Sequence, residues 1–293
     1  KVLNDLVNTF PNDRIDFSGE TNIEVKCARF KAKINGVSAD DYPPTPGIAG
    51  VAIIFEAEII LNAKNKVLYA AAKDQSRPVL NGVNFRITNS TVTLAAADGF
   101  RLAVQEVTPI STTAHAEIIV PLPALAEVSR LSSGQTEPVE MIISDNRVAF
   151  RFKKVILYSQ LIQGTFPNYT QLIPQVFTSK AVMDTQDMSR VVRAVNVFAK
   201  QGMSIVRLQG GSEALTISGS SEELGENAGS LDAVVEGDNV KIAFNGEYLK
   251  DALVAIGSGK VTLQTNSQSS PGLLTGDTNI GYLHVLMPMH VQW

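Results

Sequence analysis

At 293 residues the chain is long enough for about two full domains with cores of their own. Apolar residues make up 44% and charged residues 18%, a globular balance that excludes a disordered or fibrous chain. A net charge of −4 and a single cysteine exclude an overall basic surface for gripping nucleic acid and an internal disulfide framework.

Cys27 alternates with Val25 and reads as a small buried hydrophobe, in keeping with a reducing cytosol. No apolar run approaches the roughly 18 residues that span a bilayer, so no membrane partner is expected. A start without Met, and without a basic-then-apolar leader, points to an absent natural N-terminus.

In chain order, one layout occurs three times: a short amphipathic helix, a strand hairpin, and a closing strand that ends at a proline. The first runs from Leu3–Val7 through Arg14–Phe17 and Ile23–Ile34 to Tyr42-Pro43. The second runs from Ala124–Val128 through Val139–Ile143 and Val148–Ile162 to Phe166-Pro167, and the third from Leu249–Leu253 through Val261–Gln264 to Met287-Pro288. Asp5, Glu127 and Asp251 precede Pro43, Pro167 and Pro288 by 38, 40 and 37 positions, intervals too alike for unrelated segments.

The second and third units also carry a front half. One has a helix predicted over Ile59–Lys73, with strands near Val83–Ile87 and Leu102–Val107. The other has a helix over Gln186–Lys200, with strands near Ser204–Leu208 and Ala214–Ser218. Asn245 is a natural N-cap for Leu249, Ala252, Leu253 and Ile256, and Pro123 suits a first helical turn. Proline-rich breaks at 43–47 and 174–179 divide the chain into 1–47, 48–176 and 177–293, and each full unit reads as α+β.

Ala96-Ala97-Asp98-Gly99-Phe100-Arg101-Leu102-Ala103 resembles the DG-[aromatic or His]-RLA turn of bacterial sliding clamps, the DNA polymerase III beta subunits. Gln160–Tyr169, Arg77–Gly82, Phe244-Asn245 and Val285–Met289 resemble further segments of that family, in the same order. The resemblance spans the chain and implies a DNA clamp fold lacking the front half of its first domain. It implies tandem domains with helices lining a central channel and antiparallel sheets outside.

The same resemblance implies a head-to-tail homodimer ring that encircles double-stranded DNA without reading sequence. Such a ring is a non-catalytic, cytoplasmic processivity factor that tethers the replicative polymerase. Polymerase, clamp-loader subunits and repair proteins would bind through short peptide motifs. The groove that takes them would be walled by Arg77, Leu80, Gly99, Phe100, Arg101, Leu102, Pro167, Leu172, Met203, Asn245, Tyr248, Met287, Pro288 and Met289. Apolar anchors need such a slot, adaptable methionines suit several partners, and Arg77 and Arg101 would pair polar or acidic peptide ends.

On the helix at 186–200, Arg190, Arg193 and Lys200 share one face; Asn62, Lys66, Tyr69 and Lys73 make a similar row on the helix at 59–73. With the resemblance these rows become a thinly basic DNA channel that touches phosphates loosely. Phe30 and Ala32 would meet Val197 and Phe198 of a second copy at the dimer interface. Three features depart from the family: Phe100 stands for a His, Gln171 for a common Arg, and the tail continues through His290-Val291-Gln292-Trp293.

Three scattered histidines and one cysteine offer no metal or thiolate site, and no cofactor is expected. Gly257-Ser258-Gly259-Lys260 fails as a phosphate loop because Val254 and Val261 occupy its required Gly and Ser/Thr positions. Two other readings stand beside the clamp: a tandem-repeat adhesion module with no basic channel, and a hydrolase that gathers carboxylates from separate strands.

Overall fold

The computed structural model describes residues 1–42, 47, 49–74, 76–112 and 114–293; most of the first expected linker, 43–46 with its closing proline, lies outside the described residues. The chain forms two compact units, Lys1–Gly47 and Ile48–Trp293. The first holds α1 (Val2–Val7) and an antiparallel sheet of β1 (Ile15–Ser18), β2 (Ile23–Cys27) and β3 (Phe30–Ile34), in that order. Val25 and Cys27 point inward from β2, which gives this small sheet its buried side.

The second unit repeats one plan twice. The first pass is β4 (Val51–Phe55), α2 (Ala57–Lys66), β5 (Gly82–Ile87), β6 (Val92–Ala97), β7 (Arg101–Val107), the two-residue β8 (Ser111–Thr112), β9 (Ala116–Pro121), α3 (Leu122–Ser132), β10 (Val139–Ser144), β11 (Arg147–Arg151) and β12 (Ile156–Gln160). The second pass is β13 (Ser179–Asp184), α4 (Thr185–Ala199), β14 (Ile205–Gly210), β15 (Ala214–Ser221), β16 (Gly225–Gly237), β17 (Val240–Asn245), α5 (Gly246–Ile256), β18 (Lys260–Thr265), β19 (Gly272–Gly276) and β20 (Tyr282–Leu286). The order α1-β1-β2-β3 of the first unit matches α3-β10-β11-β12 and α5-β18-β19-β20, so it corresponds to the rear half of each pass.

Local chemistry explains the helix ends. Asp184 accepts hydrogen bonds from the N–H groups of Gln186 (2.8 Å) and Asp187 (3.0 Å), capping α4. Asn245 does the same for Glu247 (2.9 Å) and Tyr248 (3.2 Å) at the start of α5, and Gly257, with φ 83°, ends that helix. Met188, Val192, Val195 and Ala199 make the buried stripe of α4 against Leu208, Leu215 and Ile217 of the sheet, each such burial being worth about 1.5–3 kcal/mol for the larger side chains.

The hairpin and closing strand expected over 139–143 and 148–162 are β10, β11 and β12, the last two joined by a turn closed by Phe152 N–H to Val155 C=O at 2.8 Å. One expectation is corrected. The expected helix at 59–73 ends at Lys66. Val67 leaves helical geometry with φ −129° and enters the core, and a short 3-10 turn, Leu68–Ala70, follows.

The sheets position the site. Rear-half strand β20 pairs antiparallel with front-half strand β7, from Tyr282↔Gln105 to Leu286↔Arg101. This pairing fuses strands of both passes into one twelve-stranded sheet, β17-β14-β15-β16-β13-β18-β19-β20-β7-β6-β5-β9. A five-stranded sheet, β12-β11-β10-β4-β8, completes the unit.

Candidate peptide groove and helix-lined face

The groove begins at the turn between β6 and β7. Gly99 sits at φ 93°, a left-handed conformation that favours glycine, and the mobile end of the Arg77 side chain lies against it. Asp98 Oδ1 accepts from the N–H groups of Phe100 (2.9 Å) and Arg101 (3.1 Å), and Arg77 Nη2 donates to Asp98 C=O at 2.9 Å. The β20–β7 register then delivers the chain after Leu286 to this turn, where Met287 N–H donates to Phe100 C=O at 2.9 Å. Met289 N–H donates to Ala243 C=O of β17 at 2.7 Å, so Met287–Met289 is pinned at both ends.

Arg101 is only 8% exposed and its donors are spent internally. Nε reaches Asp98 Oδ2 (2.9 Å), Nη1 reaches Asp251 Oδ2 on α5 (2.7 Å), and Nη2 reaches Tyr69 C=O (2.7 Å). The guanidinium also lies 4.3 Å from the centroid of Tyr248 and 5.2 Å from that of Tyr69. Burial opposes its charge, yet the Asp251 and Asp98 carboxylates prevail and raise its pKa. Arg101 therefore ties the two passes together, and the expectation that it pairs with peptide ends is corrected. Arg77 keeps an exposed position beside Gly99.

The floor is a second apolar cluster that includes Leu80, Leu102, Val104, Phe166, Tyr169 and Val285. Phe166 and Tyr169 come from the segment that also carries Pro167 and Leu172. At the rim, Phe100 (59% exposed), Leu172, Met203 and Met287 show large apolar surfaces, and Phe100 stacks on Tyr248 with centroids 6.4 Å apart. Asn245 spends its side-chain oxygen on the α5 cap, so its part is to aim Tyr248. Pro288 and Met289 are half-buried, and Met203 lies in the turn before Ser204, whose C=O accepts from Gly246 N–H at 2.7 Å. Trp293 packs over Lys241 Nζ at 5.1 Å rather than hanging free.

Sequence reasoning missed the seam under the groove. Tyr69 OH lies 2.7 Å from Tyr282 OH and 2.9 Å from His284 Nδ1. Burial raises the pKa of both tyrosines, and burial, with Arg101 nearby, depresses His284 to about 3. The only hint was the repeated acidic position of each rear helix, which at Asp251 turns out to hold Arg101.

The helices α2, α3, α4 and α5 pack in neighbouring pairs, α4 with α5 and α2 with both α3 and α5. Between α4 and α5 lies a depression of about 530 Å3 lined by Arg190, Arg193, Gln186 and Val254 among others. Arg190 Nη1 pairs with Asp187 at 2.8 Å, Arg193 donates to Ser189 Oγ at 3.0 and 3.2 Å, and Lys200 lies 3.8 Å from Glu247.

The row expected on α2 does not form. Tyr69 turns into the seam, Lys73 lies beyond the helix, and Lys66 is bonded to Asn279, with burial lowering its pKa. Along α2 to α5 the sequence places six basic residues (Lys64, Lys66, Arg130, Arg190, Arg193, Lys250) against five acidic ones (Glu58, Glu127, Asp187, Glu247, Asp251), so these helices together are close to neutral. Phe30 and Val197 are exposed, while Ala32 and Phe198 are half-buried.

Comparison with known proteins places these features. Residues 55–168 match the model of the DNA polymerase III beta subunit central domain, and 170–290 that of its C-terminal domain. The beta sliding clamp of Synechocystis sp. is 30% identical, over 99% of this chain and 81% of the relative; that of Staphylococcus aureus is 26% identical, over 97% and 77%. Among solved structures, the DNA polymerase III beta subunit of Pseudomonas aeruginosa superposes with a TM-score of 0.90 at 25% identity, covering 99% of this chain and 81% of that one. The sliding clamp of Bacillus subtilis shares the fold at a TM-score of 0.91 and 24% identity, over 99% and 78%.

Proposed function

Because the chain belongs to the DNA polymerase III beta subunit family, the beta sliding clamps, we propose that it works as a ring of two head-to-tail copies around duplex DNA and tethers the replicative polymerase. The observation that carries this reading is the pairing of β20 with β7, a rear-half strand joined to the front half of the preceding repeat. The rear-half position recurs at β3 and at β12, each the last strand of its sheet, and the front-half position recurs at the Gly225–Asp232 part of β16. Among the described residues, β3 pairs only with β2, and that part of β16 only with β15. Joining β3 of one copy to β16 of another repeats the observed junction and closes a ring.

Charge supports the match: β3 exposes Lys31 and Lys33, and β16 exposes Glu226 and Asp232. Phe30 and Ala32 on β3 and Val197 and Phe198 on α4 would be covered in the process. The three parts 1–47, 48–176 and 177–293 then act as successive clamp domains.

In this ring the helices, nearly balanced in charge, contact phosphates through few cations, chiefly Arg190, Arg193 and Lys200, with Lys73 a further exposed cation. Loose contact suits a protein held by enclosure, since each firm phosphate contact deepens the barrier between registers. Binding is independent of base sequence and takes place in the cytoplasm. The groove takes short peptide segments of polymerase, clamp-loader and repair proteins, whose apolar anchors seat among Leu80, Leu102, Leu172 and the three tail residues Met287–Met289.

The proposed role is non-catalytic; Asp98 and Glu127 each pair with an arginine, at 2.9 and 2.5 Å. Sedimentation and negative-stain imaging test the assembly. Dimeric rings are expected. Compact monomers at every concentration, or straight stacks, would count against it and favour the adhesion-module reading.

A further inference from the structure

The segment after β20 runs on past the groove and along a sheet edge. Met287 N–H bonds to Phe100 C=O, Met289 N–H donates to Ala243 C=O of β17 at 2.7 Å, and Trp293 then lies over Lys241 Nζ at 5.1 Å. β17 is an end strand of the twelve-stranded sheet, and among the described residues it pairs only with β14. In an antiparallel ladder a residue turns its N–H and C=O to the same side, and that side alternates along the strand. Ala243 C=O faces Met289, away from β14, so Lys241, two positions earlier, turns both of its backbone groups outward too. Among the described residues no other backbone group bonds to them on that side.

Residues 290–293 are held lightly over this edge. His290 and Gln292 are exposed, Val291 is half-buried, and Trp293 is 40% exposed. An exposed cation–π contact favours the closed arrangement by only about two- to fivefold. Beside Lys241 lies a half-open depression of about 480 Å3 whose lining includes Thr178, Asp238, Asn239 and Asn266. The open edge is thus continuous with the groove at Met289 and flanked by hydrogen-bonding side chains.

We propose that residues 290–293 form a displaceable strap. A polar, extended stretch of the peptide seated in the groove takes their place and adds as a strand to β17 at Lys241. This rests on the peptide-docking reading and gives the peptide a second contact, made by its backbone outside the apolar anchors.

Trp293 is the only tryptophan in the sequence, so its fluorescence follows the strap directly. The full chain is titrated with peptides that share one set of apolar anchors. One ends at the anchors, another continues with a short asparagine–serine stretch on each side, and a third carries the same stretch with N-methylated amides. The extended peptide should shift Trp293 emission to the red and raise its quenching by acrylamide, both saturating with binding. The anchor-only and N-methylated peptides should bind without moving the ring.

Trp293→Ala should tighten the extended peptide by up to about fivefold in calorimetry and leave the anchor-only peptide unchanged. Lys241→Gln should free the ring in the unliganded protein and raise its quenching. An extended peptide that binds without disturbing Trp293 would overturn the strap and leave the groove reading intact. So would an N-methylated stretch that displaces the ring equally well, or either variant behaving as the parent does. Peptides that fail to bind at all would remove the groove reading and the strap's displacement with it.

Discussion

Arg101 does more for this molecule than its place in a peptide-binding motif implies. Its guanidinium is nearly dry and answers two carboxylates from different repeats, so removing it strands both. Asp251 is partly exposed, which discounts the loss, and Arg101→Met should cost about 2–3 kcal/mol in urea unfolding. Arg101→Lys should recover little, because one ammonium cannot replace a fork with three separate acceptors. An Arg101→Met protein as stable as the parent would show the latch to be idle.

At the groove, Met287→Ala with Met289→Ala removes apolar wall while sparing the two backbone bonds that pin the segment. Peptide affinity measured by calorimetry should fall by about 1–3 kcal/mol, with assembly unchanged. Unaltered affinity would place the peptides elsewhere. His284 makes a pH prediction. Its folded pKa, about 3, lies below the ordinary histidine value of 6.5, so between these values the unfolded chain holds a proton that the folded chain does not. Stability is full above about 6.5 and declines toward pH 3, at up to about 1.4 kcal/mol per unit from this residue. In His284→Gln that slope should be shallower by one proton; an identical profile would mean that His284 is already charged in the fold.

Helices and strands show what the sequence could and could not disclose. The rear halves were legible because their signals are local: Asn245 caps α5, Pro123 opens α3, and alternation marks β10 and β11. The end of α2 was not, because the 62, 66, 69, 73 row has sound helical spacing and only tertiary burial breaks it. Val67 and the small residues Ala70–Ala72 sink into the core, and the Tyr69 hydroxyl finds partners more than two hundred positions away.

The groove motifs were equally visible, yet their internal duties were hidden, since Asp251 lies 150 positions from Arg101 and no periodicity links them. At the same scale, the α4 arginines are two of the cations on the helices, and Arg190 is paired with Asp187. Arg190→Ala with Arg193→Ala should reduce the salt dependence of DNA binding by a slope of roughly two at most, and by less where Asp187 already neutralises Arg190. A loss much larger than this would mean firm phosphate gripping.

Across the whole molecule, the proposed assembly rests on repeated strand edges rather than on charge. A chain with net charge −4 and helices that carry nearly balanced charge has little electrostatic hold on DNA, so the proposed ring relies on topology for lasting attachment. The β20–β7 junction shows how one repeat extends another, and in the proposed ring β3 and the Gly225–Asp232 part of β16 continue that pattern. The most direct measurement follows the protein after a clamp loader has placed it on circular duplex DNA, before and after one restriction cut. The account predicts retention on the circle through washes at high salt and prompt loss once the DNA has ends; equal retention on cut and uncut DNA would contradict it.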